Sequence, residues 1–517
     1  MNWLDNLIGT FMPERAVRRW QARQALGEIR AYEGAKRGRR TSGWITTGSS
    51  ANAENQMALP TLRNRSRDLV RNNPWCKKAL ESWVGNVVGS GIRCNLASHK
   101  RLGKAFKRWA NSRKCDADGH LNLYGLQALA ARTMWESGEV LVRVRWRRPQ
   151  DKLAIPLQFQ VLEPDYLDSN KNEDLAGGGF IVAGVQFNAI GQVDGYWMFD
   201  RHPGEVGRLS RSLQSKLIPA EEVIHCFRKT RPGQVRGVPE LAPVIMRARD
   251  LDDYEDAELT RKKVEACFSV FITSGDTGSS GVGSVEREDK PAGGRMVEKI
   301  APGLIKRLGM GESVTFGQPT PAGGYPDYTR DQRRALAAGG MVTYEMLTGD
   351  YSQVNYSSSR AGLLEFRRNA EGRQWLTFIP GLCEPMVELF LKAAALKGLG
   401  ELEDDFELDF TTPRWDWVDP VKDMVGELLE VASGAKSLSE LARRRGVDPQ
   451  TMWQELAKDY EELAKLGIPL NLNNLITVGA EALNAEDDPP DPADPESSKK
   501  TKPRKRGASH SRRKQHA

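Results

Sequence analysis

An α+β protein is predicted by three features of this chain. Residues 61–135 place apolar side chains at helical spacing. From Glu139 the period drops to two, and strand-like segments continue to Phe227. Long helical segments then return on either side of a second strand-rich stretch, 268–325. Helices and strands grouped in this way pack as a layer of helices against antiparallel sheet.

Residues 1–60 read as a leader. AVRRWQARQALGEIRAYEGAKRGRR fits a basic amphipathic helix, and TSGWITTGSSANAE fits a Gly/Ser linker. A solvated arm is one reading; contact with DNA or a scaffold is the other, because basic runs bind polyanions. In 61–112, Leu69, Trp75, Cys76, Ala79, Leu80, Trp83, Val84 and Val87 recur on one helical face. Pro74 suits a first helical position, capped by Asn72 or Asn73. Leu102, Phe106 and Trp109 mark a second helix, and Tyr124 to Trp135 a third. These tryptophans lie on apolar stripes, which assigns them to the core.

EVLVRVRW (139–146) puts Val140, Val142, Val144 and Trp146 on one face and Arg143 and Arg145 on the other. Further strands fit LQFQVL (157–162), FIVAGVQF (180–187), VDGYWMF (193–199) and EVIHCF (222–227), with turns at 177–179 and 188–191. The pattern is an antiparallel meander packed on the preceding helices. RPGQVRGVP (231–239) punctuates the chain. Leu241, Val244, Ile245, Ala248, Leu251 and Tyr254 then mark one face of a helix reaching Ala266. Strands and turns fill 268–325, a helix covers 327–347, and a polar loop spans 349–357. A helix from Ser358 to Phe378, with Leu363, Leu364 and Phe366 near its start, is expected to break at Pro380 and Gly381. Another helix runs to about Gly398. The acidic strand ELEDDFELDF (401–410), helices within 417–466 and a Pro/charge-rich tail expected to be disordered complete the chain.

With 517 residues, 39% of them hydrophobic, the chain can bury substantial cores. Its mean hydropathy is −0.53. No apolar run approaches the ~20 residues that span a bilayer; the best candidate, VELFLKAAAL (387–396), carries Glu388 and Lys392. MNWLDNLIGTF lacks a basic n-region and holds Asp5, which argues against a signal peptide. The expectation is a soluble intracellular protein. Six scattered cysteines without a CxxC pair read as buried free thiols. The net charge of +7 sits at the ends: residues 13–40 contribute +6, residues 486–517 contribute +3 and residues 1–12 contribute −1, leaving 41–485 at −1. A near-neutral body differs from a surface built throughout to grip nucleic acid.

Catalytic motifs are missing. There is no GxxxxGK[ST], GxSxG, HExxH or paired CxxC. His99, His120, His202 and His225 have no partner at motif spacing, and His225 reads as a strand residue. Asp252 and Asp256 lie one helical turn apart and could share a cation, although a solvated helix face explains them more simply. We therefore expect no catalytic residue, no metal site and no cofactor.

Three segments in order carry a resemblance: VPELAPVIMRARDLDDYEDAELTRKKVEACFSVFITSG (238–275), DQRRALAAGGMVTYEML (331–347) and GDYSQVNYSSSRAGLLEFRR (349–368). Together they resemble the portal proteins of lambda-type tailed bacteriophages, over about residues 60–470. The resemblance implies a non-enzymatic homo-oligomeric ring, most often of twelve subunits, at one capsid vertex of the virion. Double-stranded DNA is packaged and ejected through it. It further implies docking of the terminase large subunit and head-completion or adaptor proteins, contact with the major capsid and scaffold proteins, and assembly in the host bacterial cytoplasm away from any membrane.

The implied portal-type organisation is a basic arm (1–60), a helical and antiparallel-sheet wing (61–235), stem helix 1 (236–267), a strand-rich clip (268–325), stem helix 2 (326–348), a tunnel loop (349–357), spine helices with further wing (358–400), a C-terminal strand and helical crown (401–484), and a charged tail (485–517). Asp350, Tyr351, Ser352, Gln353, Asn355 and Tyr356 would face DNA from the loop. Asp252, Asp253, Asp256, Arg330, Arg333 and Arg334 are the candidate channel-lining stem residues. The loop 276–294 matches no clip element. Two other classes remain open: a different structural ring oligomer, and a metal-dependent nucleic-acid-processing enzyme using Asp252 and Asp256. A ring without an axial hole would favour the first, and cleavage lost on Asp→Ala the second. Residues 488–517 hold no large apolar side chain to bury. Deleting them is expected to leave the oligomer intact on size-exclusion chromatography; its loss would refute this.

Overall fold

The computed structural model of the chain describes residues 39, 42–43, 46–96, 100–205, 214–266, 270–274, 312–316, 324–399, 408–416 and 420–468. The basic arm, the loop 276–294, most of the acidic strand expected at 401–410 and the charged tail lie outside the described residues.

Helix α1 (Ala51–Asn72) starts inside the expected linker and runs through Pro60. Ser50 favours that start, its Oγ accepting from the Ala53 amide at 3.2 Å. The boundary expected at residue 60 therefore falls within a helix. Helix α2 (Pro74–Val87) begins where the sequence indicates: Asn73 Oδ1 accepts from the Cys76 amide at 2.9 Å, with Pro74 at the first helical position. After strand β1 (Arg93–Asn95) come helices α3 (Lys100–Ala110) and α4 (Leu123–Ser137). Gly138 ends α4 at φ 91, a left-handed conformation where the backbone of Val238 leaves no room for a Cβ.

Eight strands follow: β2 (Glu139–Trp146), β3 (Leu157–Leu162), β4 (Glu173–Asp174), β5 (Phe180–Val182), β6 (Val185–Phe187), β7 (Val193–Met198), β8 (Lys216–Pro219) and β9 (Val223–Phe227). They form two antiparallel sheets, β3–β2–β9 and β4–β5–β6–β7–β8. FIVAGVQF is thus a hairpin and not one strand, because Ala183 and Gly184 both adopt positive φ, 48° and 83°.

Strand β2 departs from the expected alternation. Val140, Val142 and Val144 enter a large core shared with the helices, while Leu141 enters a second core with Leu162, Leu167, Val185, Tyr196, Met198 and Val223. The strand is buried on both faces, and Trp146 at its end is 41% exposed. In the large core, the Phe390 ring lies 5.0 Å from both Phe106 and Trp109, and Trp109 lies 5.9 Å from Phe159. Trp83, Trp109 and Trp135 are core residues as expected.

Helix α5 (Ile245–Ala266) follows a short 3-10 turn, and strands β10 (Val270–Ser274) and β11 (Glu312–Phe316) pair antiparallel. The single helix expected over 327–347 is two: α6 (Tyr325–Gly339) and α7 (Tyr344–Thr348). Met341 turns the chain at φ 59, and Thr343 caps α7 by accepting from the Met346 amide at 3.2 Å. Helix α8 (Tyr356–Arg373) continues into a π-helix, Gln374–Cys383, and on into α9 (Glu384–Leu396). The break expected at Pro380 does not occur. A proline ring clashes with the carbonyl four residues back, whereas a π turn bonds five back and is wider. Gln374 anchors this segment, its Nε2 donating to Val87 O at 2.8 Å from a fully buried position. Strand β12 (Asp409–Thr411) pairs with β1. Helices α10 (Pro420–Ala432), α11 (Leu438–Arg444) and α12 (Pro449–Lys465) close the described chain.

One buried charge cluster joins three of these elements to the segment that leads into α5. Glu139, first residue of β2, is fully buried. Its carboxylate pairs with Arg63 of α1 and with Arg236, whose Nε donates at 2.8 Å and whose Nη2 lies 2.7 Å away. His225 Nε2 of β9 lies at 2.8 Å, and the Gly237 amide donates at 2.9 Å. Burial pushes the Glu139 pKa up, but Arg236 and Arg63 outweigh it and hold the carboxyl well below the usual range. Burial lowers the His225 pKa despite the neighbouring carboxylate, so the ring is held neutral.

Glu139→Gln leaves two buried guanidiniums uncompensated and is expected to cost about 3–5 kcal/mol, read by denaturant unfolding. Neutral His225 contributes stability that is present above the ordinary histidine pKa of about 6.5 and is lost as pH falls below it. Ionised Glu139 contributes stability present above the ordinary glutamate pKa of about 4.3 and lost as pH falls through its lower folded value. Both act in one direction, so the melting temperature should fall from about pH 7 to about pH 4, and His225→Gln should flatten the upper part of that fall.

Candidate functional site

Helices α5 and α6 pack through aromatic rings. Tyr254 stacks on Tyr325 at 5.9 Å and meets Tyr328 edge-on at 4.7 Å. Arg333 locks the pair: its Nη2 donates to Glu255 Oε1 at 2.7 Å, and its guanidinium lies 4.4 Å from the centre of the Trp75 ring. This sequence-selected arginine therefore ties α6 to both α5 and α2. Arg330 and Arg334 face their own helix, 3.5 Å from Asp327 and 3.4 Å from Asp331, and Arg334 also approaches the Tyr344 ring at 5.7 Å.

The acidic candidates on α5 separate by role. Asp252 Oδ1 accepts from Asn73 Nδ2 at 2.7 Å, so it orients the residue that caps α2; partial burial raises its pKa. Asp253 pairs with Arg249 at 2.9 Å, and Asp256 is exposed. Asp252 and Asp256 belong to no group of three or more ligand atoms close enough to hold an ion among the described residues. Among the described residues, Glu163, Asp165 and His202 are the group with ligand atoms close enough to share an ion. Arg67 already bonds both carboxylates there and supplies the compensating charge.

The polar loop is short and internally bonded. Gly349 caps α7 at φ 72, a conformation that suits glycine. Asp350 Oδ1 accepts from the Ser352 amide at 3.0 Å and from Ser352 Oγ at 2.6 Å, which together hold the Asp350 carboxyl below its ordinary pKa. Asn355 caps α8, its Oδ1 accepting from the Ser358 amide at 2.8 Å. Tyr356 is already the first residue of that helix. Asp350, Tyr351, Ser352, Gln353 and Asn355 are all exposed, Tyr351 at 61%. The loop presents hydroxyl, amide and phenol groups with one carboxylate.

Residues 37–374 match the phage portal protein family, lambda type. The chain belongs to that family. A probable portal protein of Halomonas phage phiHAP-1 is 26% identical over 491 residues, spanning 88% of this chain and 93% of the relative. The portal protein of Escherichia phage N15 is 24% identical, spanning 86% and 92%. Portal protein B of Escherichia phage lambda is 24% identical, spanning 78% and 84%. Among solved structures, chains from the neck of an empty GTA particle and from the virion of a native gene transfer agent particle give TM-scores of 0.42 and 0.43. Both are 15% identical and cover 79% of this chain, and the match spans 98% and 96% of the respective solved chains.

The portal-family chain contains features that sequence reading did not single out. Trp75 and Asn73 were legible as core and cap, but not as partners of Arg333 and Asp252. Glu139 was read only as the start of a strand. Arg333→Met should remove a half-buried ion pair and a cation–π contact, which together contribute about 1–2 kcal/mol. Thermal melting checks this, and an unchanged curve would show that the α5–α6–α2 junction does not depend on Arg333.

Proposed function

We propose that copies of this chain form a ring, most often of twelve, at one vertex of a phage capsid, and that double-stranded DNA passes through its axial channel during packaging and ejection. Membership of the lambda portal family carries this reading. The chemistry supports it. A conduit must let the duplex slide, and grip grows with the number of phosphates neutralised. Residues 41–485 are nearly neutral at −1, and the exposed loop between α7 and α8 carries no cation. Closed rings repeat each side chain once per subunit, so a weak polar contact becomes a circle of weak contacts.

In this reading α5 and α6 are the stem, β10 and β11 belong to the clip, the loop 349–355 faces DNA, and α8 with the π segment forms the spine. The body 61–235 faces the shell formed by capsid and scaffold proteins. The clip docks the terminase large subunit and later the head-completion proteins. Assembly takes place in the bacterial cytoplasm, and the product resides in the virion.

Replacing 351–356 by a Gly/Ser linker is expected to leave head formation intact while packaging becomes incomplete or genome leaks. Surface-loop changes alter stability by less than about 0.5 kcal/mol, so folding should persist. Packaged DNA length and head number are measured together, alongside a negative-stain image of the purified oligomer. Full-length, stably retained DNA in the variant would remove the loop from the channel.

A further inference from the structure

Helix α3 carries a concentration of positive charge that the near-neutral body conceals. Residues 100–114 hold seven Lys and Arg and no Asp or Glu. Leu102, Phe106, Trp109 and Ala110 are buried, whereas Arg101, Lys104, Lys107 and Arg108 are exposed. At 3.6 residues per turn those four cations occupy an arc of about 120° opposite the buried stripe. The following turn adds Arg113 and Lys114, both exposed. Gln158 of β3 fixes that turn beside the sheet, its Nε2 donating to Lys114 O at 3.0 Å and to Asp116 O at 2.9 Å.

None of these six side chains forms an ion pair among the described residues. The nearest acid in sequence, Asp116, is 3% exposed, and its carboxylate accepts from the amides of Asp118, His120 and Leu121 at 3.0, 2.9 and 2.8 Å. It is committed to its own turn. By contrast Arg249 is matched by Asp253 and Arg261 by Glu258 on their own helix.

We propose that this face of α3 and its following turn is a sequence-independent docking surface for the phosphate backbone of duplex DNA, separate from the loop and helix pair assigned to the channel. The choice of DNA rests on the function proposed above. The composition of the face favours a polyphosphate over a protein partner. Protein interfaces rely on apolar anchors; every side chain of α3 described as exposed is a cation, and Val447, Asp448 and Glu455 border the groove beside Lys104 and Lys107. A polyphosphate needs only mobile point charges along a line. Arg101 to Arg108 spans about 10.5 Å at ~1.5 Å per residue, a length of duplex that carries about six phosphates. The face would hold DNA that lies alongside the ring, while the loop lets DNA inside it slide.

The test uses assembled full-length protein and covalently closed circular duplex DNA, which cannot thread a channel. The variant R101Q/K104Q/K107Q/R108Q is compared with the unaltered chain across a salt series. Each phosphate contact contributes about 0.9 to the slope of log affinity against log salt, so the variant slope should be shallower by about 3–4. Binding of closed circles at about 50 mM salt should weaken by tenfold or more on the same grounds. If the fourfold variant does not fold, R113Q/K114Q is measured instead, with an expected loss of about 2 in slope.

An unchanged slope in either variant overturns the proposal. So does failure of folded variant chains to form rings, which would make the face a contact between copies. Rings with an axial hole that do not bind closed circles would refute this surface and leave the conduit reading standing. Absence of rings from the unaltered protein would refute the conduit reading itself.

Discussion

Much of the fold hangs on a carboxylate that water never reaches. Glu139 sits where α4 ends and β2 begins, and its partners come from α1, β9 and the segment leading into α5. An isolated buried carboxylate costs several kcal/mol in lost solvation. Here two guanidiniums, an imidazole and a backbone amide replace the lost water. Arg236 then spends its remaining donors on Ala183 O at 2.8 Å, Ser169 Oγ at 3.1 Å and Pro164 O at 3.2 Å, which brings the second sheet into the same network. Such a cluster is strict about geometry, because each member is costly if any other is misplaced. It fixes where the chain leaves the sheets and therefore where α5 starts.

From that origin the helix pair is aimed by side chains with two roles. Arg333 joins α6 to α5 by charge and to α2 by its flat face. Asp252 joins α5 to α2 through the residue that caps α2. The polar loop hangs from a frame settled by these contacts, and its own hydrogen bonds are local. The frame tolerates little change, whereas the loop and the exposed face of α3 can vary in charge without disturbing a core.

Local chemistry was legible in the sequence and long-range chemistry was not. The Asn73–Pro74 start of α2, the strands of the meander and the exposed polar loop all follow from short-range rules. Glu139 could not be recognised from its surroundings, since its partners lie 76, 86 and 97 residues away. The unbroken helix through Pro380 was missed because the rule for proline assumes α geometry, and tertiary packing around Gln374 selects the wider turn. The split of 327–347 was missed because Gly339 and Gly340 alone do not stop a helix, whereas Thr343 restarting one does. The basic face of α3 was hidden by averaging: its apolar residues announce a core helix, and its cations cancel against acids elsewhere in a sum over 41–485.

Strand β2 sets a limit on how such a chain can diverge. A shift by one residue moves every side chain of a strand to the opposite face. Most sheet strands have a solvent face on which part of that error can be tolerated. Here Val140, Val142 and Val144 serve one core and Leu141 the other, so an added or deleted residue would drive Arg143 or Arg145 into apolar packing on one side and pull a valine from the other. Exchange of one apolar residue for another of similar volume is mild by comparison. Over long descent this strand can therefore change its letters but not its count, and insertions are channelled into the hairpins and the crossing loops around it.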